Sequence, residues 1–326
     1  MYKYITIAKG IGILLVIAGH FTSIYYSPSF YDGLRDWLYS FHMPLFMALS
    51  GFLFNHSLQK TSEKTHLFPF IRKKFLRLMV PYFFVSFFIA AFKELLGKGR
   101  IVNTSYLREL CYMNVGGIAV FLWFLYALFI IFVVVGFCMQ FKYGFACLGA
   151  FSITIFFLPF PEFLFLSYVH IYLLYFWLGM LLHRSVQIGI LSFSAKEFFF
   201  ALFFFTVAYA CHTMGHSGFL KMLENLLCGI FGSYAIICFS KYLSTISSFF
   251  HGGLLNIGKK SFFIYLMHMI GVSLVCALYE KIEVYTPFTY LVALILALLA
   301  GVLLSLLIER YLISHSKCLT WLMGGK

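Results

Sequence analysis

Ten apolar stretches, each 17–25 residues long, run through this 326-residue chain at 7–27, 37–56, 77–96, 119–139, 143–159, 164–184, 196–214, 222–240, 261–279 and 288–312. Each can cross the hydrocarbon core of a bilayer as a helix. Hydrocarbon supplies no partner for a backbone N–H or C=O, and a helix satisfies both within one segment. The expected fold is therefore an all-α integral membrane protein with about ten transmembrane helices. Composition agrees, with 62% hydrophobic and only 11% charged residues, where a soluble domain carries about a quarter charged. The 43 phenylalanines suit a lipid-facing surface. No stretch reads as an appended soluble domain, so residues 1–326 are expected to form a single transmembrane domain. Polar and aromatic residues follow the first apolar segment rather than a small-residue cleavage site, so it reads as a retained span.

An even number of spans puts both termini on one side. If that side is the cytoplasm, the inner segments hold seventeen of the 24 Lys and Arg residues and the outer segments seven. The positive-inside rule favours this orientation. The formal charge of +13 is then topology plus one basic cluster, and a nucleic-acid partner is not expected. The eight cysteines are scattered, without a C-x-x-C pair, and read as small buried hydrophobes. His212 and His216 stand four apart, a metal-compatible spacing, but lack the Glu of an H-E-x-x-H site, and no metal is expected. Glu309 and Arg310 read as a local ion pair.

Two features fall outside plain apolar patterning. His20 follows Lys9 by eleven positions in IAKGIGILLVIAGH. Eleven helical steps return to within roughly 20° of the same face and climb roughly 16 Å. One face then carries a cation near the membrane surface and an imidazole inside, and an ionisable group within a span is a functional-site hypothesis by default. The second feature is FIRKKFLRLMVPY at 70–82, with Arg72, Lys73, Lys74 and Arg77 within six residues. It reads either as a positive-inside anchor on lipid phosphates or as a phosphate-binding patch for an anionic cytoplasmic ligand.

Several stretches together resemble the membrane-bound acyltransferase-three family of bacterial transmembrane O-acyltransferases, and are most similar to its fucose 4-O-acetylase-like polysaccharide acetylase branch. IAKGIGILLVIAGH (7–20) carries the Lys/Arg-x10-His pattern as Lys9 and His20. SFHMPLFMALSGFLF (40–54) follows, with His42, Pro44 and a Ser50-Gly51-Phe52 turn. Then come the basic segment with Lys74 and Arg77, Gly116-Gly117, LWFLYAL (122–128), YFWLGML (175–181) and IGKKSFFIYLMH (257–268), which ends in His268. Thr6 stands where relatives of this branch often carry Asp, and Lys74 where Arg is common.

The resemblance implies transfer of an acyl group, usually acetyl from acetyl-CoA, to a hydroxyl of a cell-envelope glycan or its lipid-linked precursor, such as an O-antigen or capsule unit. It implies a multi-pass protein of the bacterial cytoplasmic (inner) membrane. His20 is then the catalytic residue, as general base or transient acyl carrier, since an imidazole out of water favours its neutral, proton-accepting form. Lys9, Arg72, Lys73, Lys74 and Arg77 would hold the acyl-CoA. His42, Ser50, Gly116, Gly117, Trp123 and His268 would contact the acceptor. For each of these a plainer reading stands beside it: an interfacial His at a helix start, a turn or helix-packing Gly, a belt Trp, an interhelical hydrogen bond. Expected partners are acyl-CoA, the saccharide acceptor and membrane lipids, with assembly into a homo-oligomer left open. The rival function is a transporter or flippase for a glycolipid or small anion, which would more often show symmetric halves with interrupted helices.

Overall fold

The computed structural model describes residues 2–60, 66–96, 120–160, 166–246 and 249–325. These residues are helical, without a strand among them. In chain order the helices are α1 (Lys3–His20), α2 (Ser29–Tyr39), α3 (His42–Lys60), α4 (Leu67–Leu96), α5 (Trp123–Cys138), α6 (Gly144–Phe156), α7 (Leu166–Gln187), α8 (Ala195–Thr213), α9 (Gly218–Leu243), α10 (Phe249–Lys259), α11 (Ser261–Ile282), α12 (Pro287–Ile308) and α13 (Lys317–Leu322). Every one of the ten apolar stretches contains one of them. Among the described residues, seven helical stretches are long and apolar enough to cross a membrane, with α2 and α3 counted together as Ser29–Gln59. Helices α5 and α6 are apolar but shorter, and α4 carries the basic cluster.

The first predicted span ends early. Helix α1 stops at His20, and Phe21 leaves in an extended conformation at φ −76° and ψ 111°. The polar, Pro-containing stretch FTSIYYSP is loop rather than membrane helix, and the separate α2 follows it.

The chain gathers into two compact units. The first comprises Met1–Ser50 and Leu182–His315, the second Gly51–Leu181 and Ser316–Lys326. Helix α1 is the core of the first. It packs against α2, α9, α10, α11 and α12, and five consecutive residues, Tyr4 to Ala8, are buried. Most of the helix is covered by these neighbours. The crossing with α10 is a backbone contact. A Cβ at Gly258 would overlap the Thr6 carbonyl, and one at Gly10 the Leu254 carbonyl. In the second unit α4 packs on α5 and α5 on α6. Gly51 of α3 lies directly on the Phe176 carbonyl, so close helix packing accounts for this glycine.

Outward faces are apolar. Phe288, Leu291, Ile295, Leu299, Leu303 and Leu307 form an exposed stripe along α12, and Phe199, Phe200 and Phe203 do so on α8. In water such a continuous surface would aggregate; against lipid it costs nothing.

Three sequence expectations change here. Ser50, Gly51 and Phe52 lie inside α3 and form no turn. Of the cysteines, Cys228 and Cys238 are buried, while Cys147 and Cys318 are exposed. Glu309 pairs with Lys260, at 2.6 Å, where the chain winds into a π-helical turn at Glu309–Ile313.

Candidate active site

Three side-chain hydrogen bonds reach the C-terminal end of α1. The last carbonyls of a helix have no intrahelical partner. The usual remedy is a left-handed residue just past the end, and the extended Phe21 forgoes it. Three tyrosine hydroxyls donate instead. Tyr31 Oη reaches the Ala18 carbonyl at 2.9 Å, Tyr39 Oη the Gly19 carbonyl at 2.7 Å, and Tyr290 Oη the Phe21 carbonyl at 3.3 Å. Two come from α2 and one from α12. Tyr31 and Tyr290 are fully buried and pack on each other with ring centroids 5.0 Å apart. The loop beyond is pinned as well, since the Ile24 N–H donates to Glu280 Oε1 at 3.2 Å and Tyr25 stacks on Tyr285.

His20 sits in the middle of this clamp. Its ring lies 5.2 Å, centroid to centroid, from that of His268. His268 is fully buried in α11. Its Nδ1–H donates to the Tyr265 carbonyl at 2.8 Å. A carbonyl only accepts, so in the neutral ring Nε2 is the acceptor nitrogen. His42 opens α3 and uses the same device, donating from Nδ1 to the Leu38 carbonyl at 2.7 Å. The Tyr39 ring, 5.0 Å from His42, also touches the Gly19 backbone, and His42 lies within electrostatic reach of His20. The structure thus brings His20, His42 and His268 together within one unit. Lys9 is half-buried on the same continuous helix as His20, about three turns toward its N-terminus, and Thr6, where relatives often carry Asp, is buried against α10.

The other predicted residues behave differently. Arg72, Lys73 and Arg77 are exposed on α4 within the second unit. Lys74 turns away from them, with its ammonium 3.5 Å from the Phe132 ring centroid and 5.4 Å from that of Phe70. Trp123 has one face covered by Tyr168, stacked at 4.1 Å. The Ser50 hydroxyl donates back to the Phe46 carbonyl at 2.7 Å. Gly116 and Gly117 lie outside the described residues. His212 and His216 do not share a helix, because α8 ends at Thr213. His216 Nδ1 meets Glu224 Oε1 at 2.6 Å, and Lys221 donates to the His212 carbonyl at 3.1 Å.

The residues that sequence reasoning missed are the three tyrosines and Glu280. Each stands near the end of an apolar stretch, where Tyr is common as an interfacial anchor. Nothing local separates these tyrosines from the others.

This geometry can be set beside known proteins. The profile of the acyltransferase-three family, described as an acyltransferase domain, matches residues 2–310. No curated protein and no solved structure gives a match. The chain belongs to the acyltransferase-three family, and with its apolar helices it is a multi-pass membrane O-acyltransferase.

Proposed function

We propose that this acyltransferase moves an acetyl group from cytoplasmic acetyl-CoA to a sugar hydroxyl of a cell-envelope glycan or its lipid-linked precursor, in the bacterial inner membrane, with His20 as general base. One observation carries the reading: His20 ends the central helix of its unit, backbone held on both sides, with two further imidazoles beside it. An imidazole held in place can take a proton from a hydroxyl within hydrogen-bond reach. The hydroxyl oxygen then attacks the thioester carbonyl carbon, the C–S bond breaks, and the departing CoA thiolate recovers the proton from the imidazolium. His42 and His268, each with Nδ1 on a carbonyl, are the acceptor-contacting imidazoles in this reading. The exposed Arg72, Lys73 and Arg77 suit the CoA phosphates, for which guanidinium offers a bidentate fork. Lys74 contributes charge from its seat on Phe132, and Lys9 lies on the helix of His20. Trp123, packed on Tyr168 and Tyr172, is the aromatic candidate for contact with the acceptor sugar. Both termini are cytoplasmic in this reading.

The test uses purified protein in nanodiscs, acetyl-CoA labelled in the acetyl group and an isoprenoid-linked oligosaccharide. Wild type is expected to release CoA and label the saccharide, and His20→Ala to lose about 10²–10⁴-fold in rate. Equal rates for the two refute the general-base role. Label that stays on wild-type protein but not on His20→Ala identifies an acyl-histidine instead. Arg72→Ala with Arg77→Ala should weaken acetyl-CoA binding and flatten its salt dependence, and unchanged binding returns the cluster to a topological anchor.

A further inference from the structure

We infer that Tyr31, Tyr39 and Tyr290 are positioning residues for His20, acting through the backbone of α1 rather than on substrate. The inference rests on the general-base reading of His20 given above. Three hydroxyls, two from the neighbouring α2 and one from the distant α12, converge on the carbonyls of residues 18, 19 and 21, which bracket His20 in the chain. Packing alone does not call for them. Phenylalanine would fill the same volume, and the Tyr31, Tyr290 and Phe21 rings form one contiguous cluster with centroids 5.0 Å apart. Helix capping alone does not call for them either, because a glycine after His20 would cap α1 locally. What long-range donors add is a link between the last turn of α1 and the elements that carry the other two imidazoles. Tyr39 lies three residues before His42, and its ring touches both His42 and Gly19. Tyr290 lies on α12, and α12 packs along α11, the helix of His268.

The arrangement also fits the way α1 ends. With Phe21 extended, the final turn would fray into the loop that follows, and His20 is its last residue. Fraying of that residue releases its φ and ψ, and with them the direction in which the imidazole points. A misplacement of about 1 Å at a reacting group can cost on the order of 10²-fold in rate. The hydroxyl bonds, from α2 and from α12, oppose that motion. Glu280, accepting from the Ile24 N–H, restrains the loop on its far side.

The experiment removes the hydroxyls and keeps the rings. Tyr31→Phe, Tyr39→Phe, Tyr290→Phe and the triple variant are compared with wild type and His20→Ala in nanodiscs. The substrates are acetyl-CoA and an isoprenoid-linked oligosaccharide, and rates are normalised to folded protein. The positioning role predicts that kcat falls about tenfold to a hundredfold in the triple variant, while KM for acetyl-CoA stays within about twofold and the pH profile of kcat changes shape. The inference is overturned if the triple variant loses thermal stability but keeps wild-type kcat and pH profile per folded molecule. It is likewise overturned if KM rises with kcat unchanged. His20→Ala separates this result from failure of the underlying reading. An inactive His20→Ala beside a fully active triple variant removes the clamp alone, whereas an active His20→Ala removes the general base and the clamp with it.

Discussion

Gly258 and Gly253 lie on the same short helix, α10, and should respond to alanine in opposite directions. At Gly253 an added Cβ meets no atom within 4 Å. Alanine there only removes chain entropy from the unfolded state and raises helix propensity, a gain of about 0.5–1 kcal/mol. At Gly258 the same methyl would overlap the Thr6 carbonyl oxygen, lie 2.8 Å from the Thr6 carbonyl carbon and 3.1 Å from the Gly10 nitrogen. All three are backbone atoms of the buried helix α1, so no side chain can swing aside. Either α10 moves away, opening the crossing, or α1 shifts within its shell of helices. Overpacking of this kind costs about 1–3 kcal/mol. To first order the propensity gain is common to both variants. The difference between them is therefore the crossing alone, about 1–3 kcal/mol, with Gly253→Ala at or above wild type and Gly258→Ala below it. Thermal unfolding of the purified protein in one detergent, followed by tryptophan fluorescence, orders the three. Because α1 ends in His20, Gly258→Ala should also lose acyl transfer per folded molecule, while Gly253→Ala keeps it. A Gly258→Ala protein that melts with or above Gly253→Ala refutes the backbone crossing and the central place given to α1.

Three further outcomes are expected. Ser194 and Glu197 form a capping box at the start of α8, and Ser194→Ala should cost about 1 kcal/mol. Glu197→Ala should cost more, because its carboxylate also accepts from the Ser192 N–H at 3.1 Å and from the Tyr234 hydroxyl at 3.1 Å; equal melting points for the two variants would contradict this. Lys260 and Glu309 pair at 2.6 Å with side chains 35% and 28% exposed. A double-mutant cycle of Lys260→Met and Glu309→Gln should give a favourable coupling of about 1 kcal/mol, and a coupling of zero contradicts this partly buried ion pair. In Gly19→Ala the new methyl would lie 2.6 Å from Cε1 of Tyr39, so the half-exposed ring must move and its bond to the Gly19 carbonyl breaks. Acyl transfer should fall further than stability does, and a variant of wild-type rate would show that Tyr39 is not needed there.

Helix placement was legible because it depends on local pattern. All ten apolar stretches contain helices, since a run of about twenty apolar residues has one low-energy solution in lipid. The burial of α1 was not legible, because an apolar helix in lipid can be covered by protein or by acyl chains with the same sequence. What hydropathy reads poorly is where a helix stops. The stretch 7–27 is apolar enough to continue, yet α1 ends at His20, and the evidence for stopping lies in residues 31, 39 and 290. The pairing of Lys260 with Glu309 was hidden for the same reason. Arg310 is the neighbour in sequence, yet the carboxylate meets a lysine 49 positions away.

The candidate site divides along the same line. His20 stood out in the sequence because an imidazole inside an apolar helix needs an explanation that the helix itself does not supply. His42 and His268 carried the same mark, and the structure brings both beside it. Ser50 and Trp123 did not carry it; one returns its hydroxyl to its own helix and the other has a stacking partner. The missing part was whatever holds His20 still. An acidic residue in the first turns of α1 was the natural place to look, and Thr6 occupies it, buried where α10 crosses and nearly four turns from His20. No group at that distance can orient an imidazole. The restraint has to act at the other end of the helix, on backbone carbonyls that any sequence would present, through tyrosines whose only signature is a hydroxyl. That makes the supporting residues far less conspicuous than the histidine they support. It also means that replacing each tyrosine by phenylalanine, a change that hydropathy would rate as neutral, is the substitution most informative about this site.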